Sequence, residues 1–257
     1  MSDMLQRVLE PEVMDTAAEA IDYDAMDHSA VNRLFVSDFL FAALEAGMPV
    51  DELPGPGRQT DVTTPSPRPS PVKGEGEASA EAVAVLDLGT GTAQIPVELC
   101  RRATGVCVSA VDLAAEMLQV AKINVESAAL AHRIRLERID AKRLPYPDGR
   151  FDAVISNSIV HHIPEPAGAL AEAVRVVRRR GLLFVRDLLR PPDDATVRRL
   201  VATYAAGCND HQRAMFDDSL RAALDLDEIR VLVADLGFAP ETVRPTSDRH
   251  WTWCARR

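Results

Sequence analysis

Three residue types in a particular order, Asp, Gly and His, invite chemistry in this chain. A carboxylate, Asp87, stands two residues before Gly89, and Gly91 follows in the run VLDLGTGTA (85–93). Val85, Leu86 and Leu88 read as a buried strand, the glycines as a tight turn, and AQIPVELCRR as a helix, with Pro96 acceptable because it falls in the first turn. A helix that begins at such a turn offers unpaired N–H groups to an anion. A carboxylate beside it repels a pyrophosphate and suits a cationic group such as an ammonium. The G-x-G-x-x-G spacing of dinucleotide sites is missing, because Gln94 stands where its last glycine would be, and no G-K-[ST] follows. A second carboxylate, Asp112, ends the next strand, where it can accept both O–H groups of a ribose diol. His161 and His162 follow the fourth strand as an adjacent pair, which makes them candidate general bases. Two neighbouring histidines alone are not a chelating set, and no metal site is expected. His28, His211 and His250 have less to recommend them.

The elements that position these groups alternate. Strands are expected at 82–88, 105–113, 133–140, 151–157 and 181–189, with helices from 93, 114 and 167 between them. A helix follows from about 191, then a polar stretch, CNDHQRAMFDDS, then a helix at 226–237 ending at Gly237. APETVRP and RHWTWCARR read as two final strands around a PTSD turn, with Trp251 and Trp253 on one face and packed in the core. Such a series predicts an α/β fold: a Rossmann-like, seven-stranded, mostly parallel sheet with an antiparallel last strand. Residues 1–53 read as an N-terminal helical lid. Within it Asp27 or Ser29 is expected to cap a helix whose apolar face comprises Leu34, Phe35, Phe39, Leu40, Ala43 and Leu44, ended by Gly47. Residues 54–82 are rich in Pro, Gly and Ser and read as a disordered linker or insertion, similar to a translated palindromic repeat. The main domain is expected at 83–257.

Composition sets outer limits. The chain has 257 residues, 47% hydrophobic and 26% charged, with a net charge of −10. That suits one sizeable α/β domain with an appendage. The acidic balance argues against nucleic acid or an anionic membrane as partner. Four scattered cysteines form no C-x-x-C pair. Cys100 and Cys107 are expected to be buried free thiols, in keeping with a cytoplasmic location. The N-terminus lacks the pattern of a signal peptide, and no apolar run reaches a membrane-spanning length.

VLDLGTGTA, the strand ending at Asp112, IDAKRLPYPDGRFDAVISN and GLLFVRD together resemble the class I S-adenosylmethionine-dependent methyltransferases, specifically their ubiquinone/menaquinone-type small-molecule group. The resemblance covers about 83–257. It implies S-adenosylmethionine as cofactor, with Asp87, Gly89 and Gly91 at its methionine end and Asp112 on its ribose. It also implies Leu113 and Met117 beside the adenine, Asp140 at the adenine amino group with Ala141 next to it, and the Asn157 backbone carbonyl at the ammonium. Relatives often carry a Pro-Gly turn before the fifth strand; this chain has Arg179-Arg180-Gly181, a charged surface turn. The implied reaction is in-line methyl transfer to a small-molecule acceptor, with RNA or protein acceptors, or a non-catalytic cofactor-binding regulator, as alternatives. Acceptor specificity is expected from 20–40, 145–150 and 205–220, with Tyr23, Met26, Phe35, Tyr204 and Phe216 as candidate lining residues.

Overall fold

A computed structural model describes residues 5–12, 16–26, 28–52 and 82–257. The linker expected at 54–82 lies outside the described residues except for its last position, as does the candidate cap Asp27. The strands are β1 (Val83–Leu88), β2 (Val106–Asp112), β3 (Ile134–Arg138), β4 (Phe151–Asn157), β5 (Val177–Leu188), β6 (Val243–Pro245) and β7 (His250–Arg256). They form one sheet in the order β3-β2-β1-β4-β5-β7-β6. The first five pair in parallel, and β7 runs antiparallel to both β5 and β6. The expected seven-stranded mixed sheet is therefore present. Asp51–Glu52 and Ala103–Thr104 add a separate two-residue ladder.

Alternate residues of β1 point to opposite faces: Val83 and Val85 join one apolar cluster, Leu86 and Leu88 the other. Both faces are buried, which explains the near-continuous apolar runs of these strands. Helices α1 (Ala17–Ala25), α2 (Ser29–Glu45), α3 (Gln94–Arg102), α4 (Ala115–Ser127), α5 (Ala167–Val176), α6 (Asp194–Tyr204), α7 (Asp210–Ala222) and α8 (Leu226–Asp235) complete the described elements. Residues of α2, α3 and α4 pack into the first cluster, and residues of α5 and α8 into the second. Trp251 and Trp253 are fully buried, as expected.

Several local expectations are corrected. The N-cap of α2 is His28, and Val36 rather than Leu34 or Leu44 completes its buried face; those two leucines are half exposed. Helix α2 is also more core than lid. Phe35 and Phe39 meet Phe184 of β5 edge-on, with centroids 5.2 and 5.9 Å apart. The polar stretch after α6 is the helix α7. Its amphipathic signal is sparse, yet Asn209 and Gln212 form a reciprocal capping box, and Leu220 and Phe216 pack against Val197 and Leu200 of α6. Cys107 is exposed, because alternation along β2 turns it away from the face that buries Val106 and Val108. Finally, β5 starts earlier than expected, and Arg178–Gly181 form an irregularity within it. Arg180 takes the left-handed backbone (φ 63°), while a Cβ on Gly181 would lie 2.7 Å from the Asp152 carbonyl oxygen. Gly181 serves close backbone approach and Arg180 takes the turn conformation.

Candidate active site

The sheet's strand order reverses at β1, and the crevice outside the carboxyl ends of β1, β2 and β4 is where open α/β sheets bind ligands. A cavity opens there. Gly89, Gly91, Asp112, Leu113, Met117, Asp140, Ala141 and Asn157 all line it, and Asp87 lines a small adjoining space together with Gly89, Thr90 and Asn157. The structure thus gathers every residue expected at the cofactor. Of the two histidines, His162 faces the cavity, whereas His161 does not.

The glycine turn is held from below and from the side. The N–H groups of Gly89 and Thr90 both donate to the Val111 carbonyl, at 2.9 Å each. The Gly91 N–H donates to Asp112 Oδ2 at 2.8 Å, and the Ala114 N–H to Oδ1 at 2.9 Å. Asp112 thus fixes the turn with an acceptor on each of its two oxygens. Gly89 has φ +68°, and a Cβ there would come within 2.4 Å of Ile159. Two non-glycine residues adopt the left-handed region beside it, Ala93 (φ 60°), which caps α3, and Ser158 (φ 60°), which follows β4. Such strain gathers at ligand sites, where surrounding structure fixes it in place.

Electrostatically the floor is poised for a cation. Asp87 is buried, and burial raises its pKa from 3.8 to about 7, with Thr90 opposing and Asp112 reinforcing the shift. No ion pair to it occurs among the described residues. Asn157 Nδ2 donates to Ser158 Oγ at 3.2 Å, but its Oδ1 is buried without a partner. Asp87 and Asn157 both line the small space beside the glycine turn. A bare glycine cradle, a buried carboxylate, an orphaned amide oxygen and a diol-competent Asp112 fit an amino-acid nucleoside, and they fit S-adenosylmethionine. Asp140 ends the loop after β3, where its Oδ1 accepts the Lys142 N–H at 2.9 Å and pairs with Lys142 Nζ at 3.1 Å.

The N-terminal segment supplies the remaining wall, and most of it was not foreseen. Tyr23 of α1, the one of the five candidate lining residues that lines this cavity, is partly buried there; desolvation first, then Asp112, Asp24 and Asp87, push its phenol up to about 12. Phe35 is core, Phe216 packs between α6 and α7, and Tyr204 is exposed with the Arg249 guanidinium 3.3 Å above its ring. Met26 is half-buried and does not line the cavity. Glu12 also lines the cavity and pairs with Lys142, which lines it too. Behind it, His161 Nδ1 lies 2.5 Å from Asp187 Oδ1. Burial works against charging His161, yet Asp187 holds its pKa above the ordinary value and keeps its own carboxyl below it. Burial and the neighbouring His161 depress His162 to about 3. Asp187 is a buried carboxylate that follows Arg186 at the end of the apolar run GLLFV, and that is the signal the sequence offered for it.

Residues 86–185 match the family model described as a methyltransferase domain. The chain is 28% identical over 159 residues to 27-O-demethylrifamycin SV methyltransferase of Amycolatopsis mediterranei, covering 60% of this chain and 55% of that one. It is 37% identical over 94 residues to demethylmenaquinone methyltransferase of Thermus thermophilus, covering 37% and 42%. The matches span about half or less of these relatives. A solved S-adenosyl-L-methionine-dependent methyltransferase structure from Methanococcus maripaludis covers 95% of both chains with a TM-score of 0.61 at 13% identity, a likeness of fold. Sheet order, cavity and family match agree: residues 86–185 match a methyltransferase domain, and the sheet has the strand order of the class I S-adenosylmethionine-dependent methyltransferase fold. No described helix is long and apolar enough to cross a membrane.

Proposed function

We propose that the protein binds S-adenosylmethionine in this cavity and transfers its methyl group to a small-molecule acceptor. The observation that carries the reading is the buried Asp87 carboxyl, without an ion-pair partner among the described residues, beside the bare Gly89–Gly91 turn. Two relatives named for small-molecule acceptors, a demethylrifamycin and a demethylmenaquinone, and the net charge of −10 favour a small acceptor over RNA.

When bound, the cofactor supplies a methyl group already activated on a sulfonium. Asp87 and Asn157 hold the ammonium, Asp112 the ribose hydroxyls, and Leu113 and Met117 pack on the adenine, with Asp140 and Ala141 at its edge. Tyr23 and Glu12 close the cavity from the N-terminal side and exclude water. Alignment of nucleophile and methyl group is the main contribution, worth up to about 7–11 kcal/mol. His161 and His162 are the candidate catalytic pair. His162 lines the cavity, but a histidine held near 3 is a poor proton acceptor, so general-base catalysis contributes little.

Calorimetry of the full chain with S-adenosylmethionine and S-adenosylhomocysteine should show binding of both at one site. A cell-extract screen with methyl-labelled cofactor should then label a low-molecular-weight product. Failure to bind either compound sinks the reading; binding with label only in RNA or protein moves the acceptor to that class.

A further inference from the structure

Three metal-ligand atoms converge beside the cavity. His162 Nδ1 lies 3.1 Å from Glu10 Oε1, His161 Nε2 lies 3.5 Å from the same oxygen, and the ligating atoms of all three residues fall within 4.8 Å of one another. Glu10 Oε1 and His162 Nδ1 are buried and make no hydrogen bond.

Their other polar atoms are committed elsewhere. Glu10 Oε2 accepts from Ser219 Oγ at 3.2 Å. His161 Nδ1 is engaged by Asp187, which is itself fixed by the N–H groups of Val160 and Leu188, both at 2.6 Å. A carboxylate on one imidazole nitrogen orients the other toward a metal, and this is the usual outer shell of a histidine ligand. Arg7 anchors the segment that delivers Glu10: its guanidinium donates to the carbonyls of His161, Ile163, Pro164 and Ala222.

We infer that Glu10, His161 and His162 form a divalent transition-metal site of the two-histidine, one-carboxylate kind. Bond lengths of about 2.0–2.2 Å to Zn²⁺ place tetrahedral ligands roughly 3–3.5 Å apart, and two of the three pairs already sit there. The rival arrangement is a plain ion pair, with His161 as an imidazolium between Asp187 and Glu10. It leaves His162 Nδ1 beside a carboxylate oxygen with no hydrogen bond between them. Three protein ligands leave a coordination position open, and His162 lines the cavity, so the open position takes an oxygen donor of the molecule that enters there. That this molecule is the methyl acceptor, a hydroxyl- or carbonyl-bearing compound, rests on the function proposed above.

The test uses the full chain, stripped with chelator and titrated with Zn²⁺ by calorimetry and with Co²⁺ by visible absorption. One equivalent should bind with a micromolar or tighter Kd, and Co²⁺ should show intense bands of low coordination number. Glu10→Gln and His162→Ala should each weaken binding at least tenfold, and Asp187→Asn about 10–100-fold. Thermal unfolding without metal identifies any variant that fails to fold, and the remaining variants then decide. No stoichiometric binding by the wild type, or equal binding by folded Glu10 and His162 variants, overturns the site. S-adenosylhomocysteine affinity of the same wild-type sample is measured in parallel, so failure of the cofactor reading is seen separately.

Discussion

Asp87 is a carboxylate held where water does not stabilise its charge. Its folded pKa of about 7 lies above the ordinary 3.8, so between those values the folded chain holds a proton that the unfolded chain has released. The ligand-free protein should therefore lose stability as pH rises from about 4 to 7. Asp87→Asn should flatten that part of a denaturation profile. Cofactor affinity should rise with pH through about 7, because only the ionised carboxylate pairs with an ammonium, and the Asn variant should bind at least tenfold more weakly with no such pH dependence. Calorimetry in buffers of different ionisation enthalpy would detect the proton released. Asp112→Ala removes an acceptor from two backbone N–H groups as well as from the ribose. It should cost about 1–3 kcal/mol in urea denaturation while preserving the circular dichroism spectrum, and weaken cofactor binding at least tenfold. Unchanged affinity would remove Asp112 from the site.

At the scale of elements, the glycine turn separates two kinds of requirement. Gly89→Ala and Gly91→Ala must each hold a left-handed residue, at about 1–2 kcal/mol, but Gly89→Ala must also displace Ile159, whereas Gly91→Ala meets only Tyr23, at 3.9 Å. Equilibrium unfolding should rank Gly89→Ala as clearly the more damaging, and Gly89→Ala with Ile159→Ala should recover part of the loss. The turn, its strand and Asp112 were legible in the sequence because strand, turn and helix are local patterns, each readable within a dozen residues. So was the final hairpin, whose period-two tryptophans are buried as expected. The walls that come from far along the chain were not legible. Glu10, Glu12 and Asp187 reach the site only through contacts between distant segments, such as Arg7 on the carbonyls after His161. Helix α7 was missed for another reason: its capping box was present in Asn209 and Gln212, but too few apolar residues mark its period. The positive φ of Arg180 was likewise hidden, since a glycine next to it drew the expectation of a turn.

The whole molecule is a doubly covered sheet to which an N-terminal segment contributes both core and site. Helix α2 belongs to the core through Phe35 and Phe39, so truncation before residue 46 should unfold the chain rather than merely open it. Deleting 57–80 should leave the melting temperature and cofactor affinity nearly unchanged, because the recognisable fold resumes at Val83. A large drop in melting temperature would make that segment structural. One consequence of the Glu12–Lys142 pair concerns rates. Both side chains are about one-third exposed, so the pair is worth about 1 kcal/mol or less and is open to screening by salt. It nevertheless ties the N-terminal segment to the loop after β3 at the wall of the cavity proposed to hold cofactor and spent product. Stopped-flow measurements should show dissociation that quickens with ionic strength and in Lys142→Met, with turnover rising in parallel where departure of the demethylated product sets the pace.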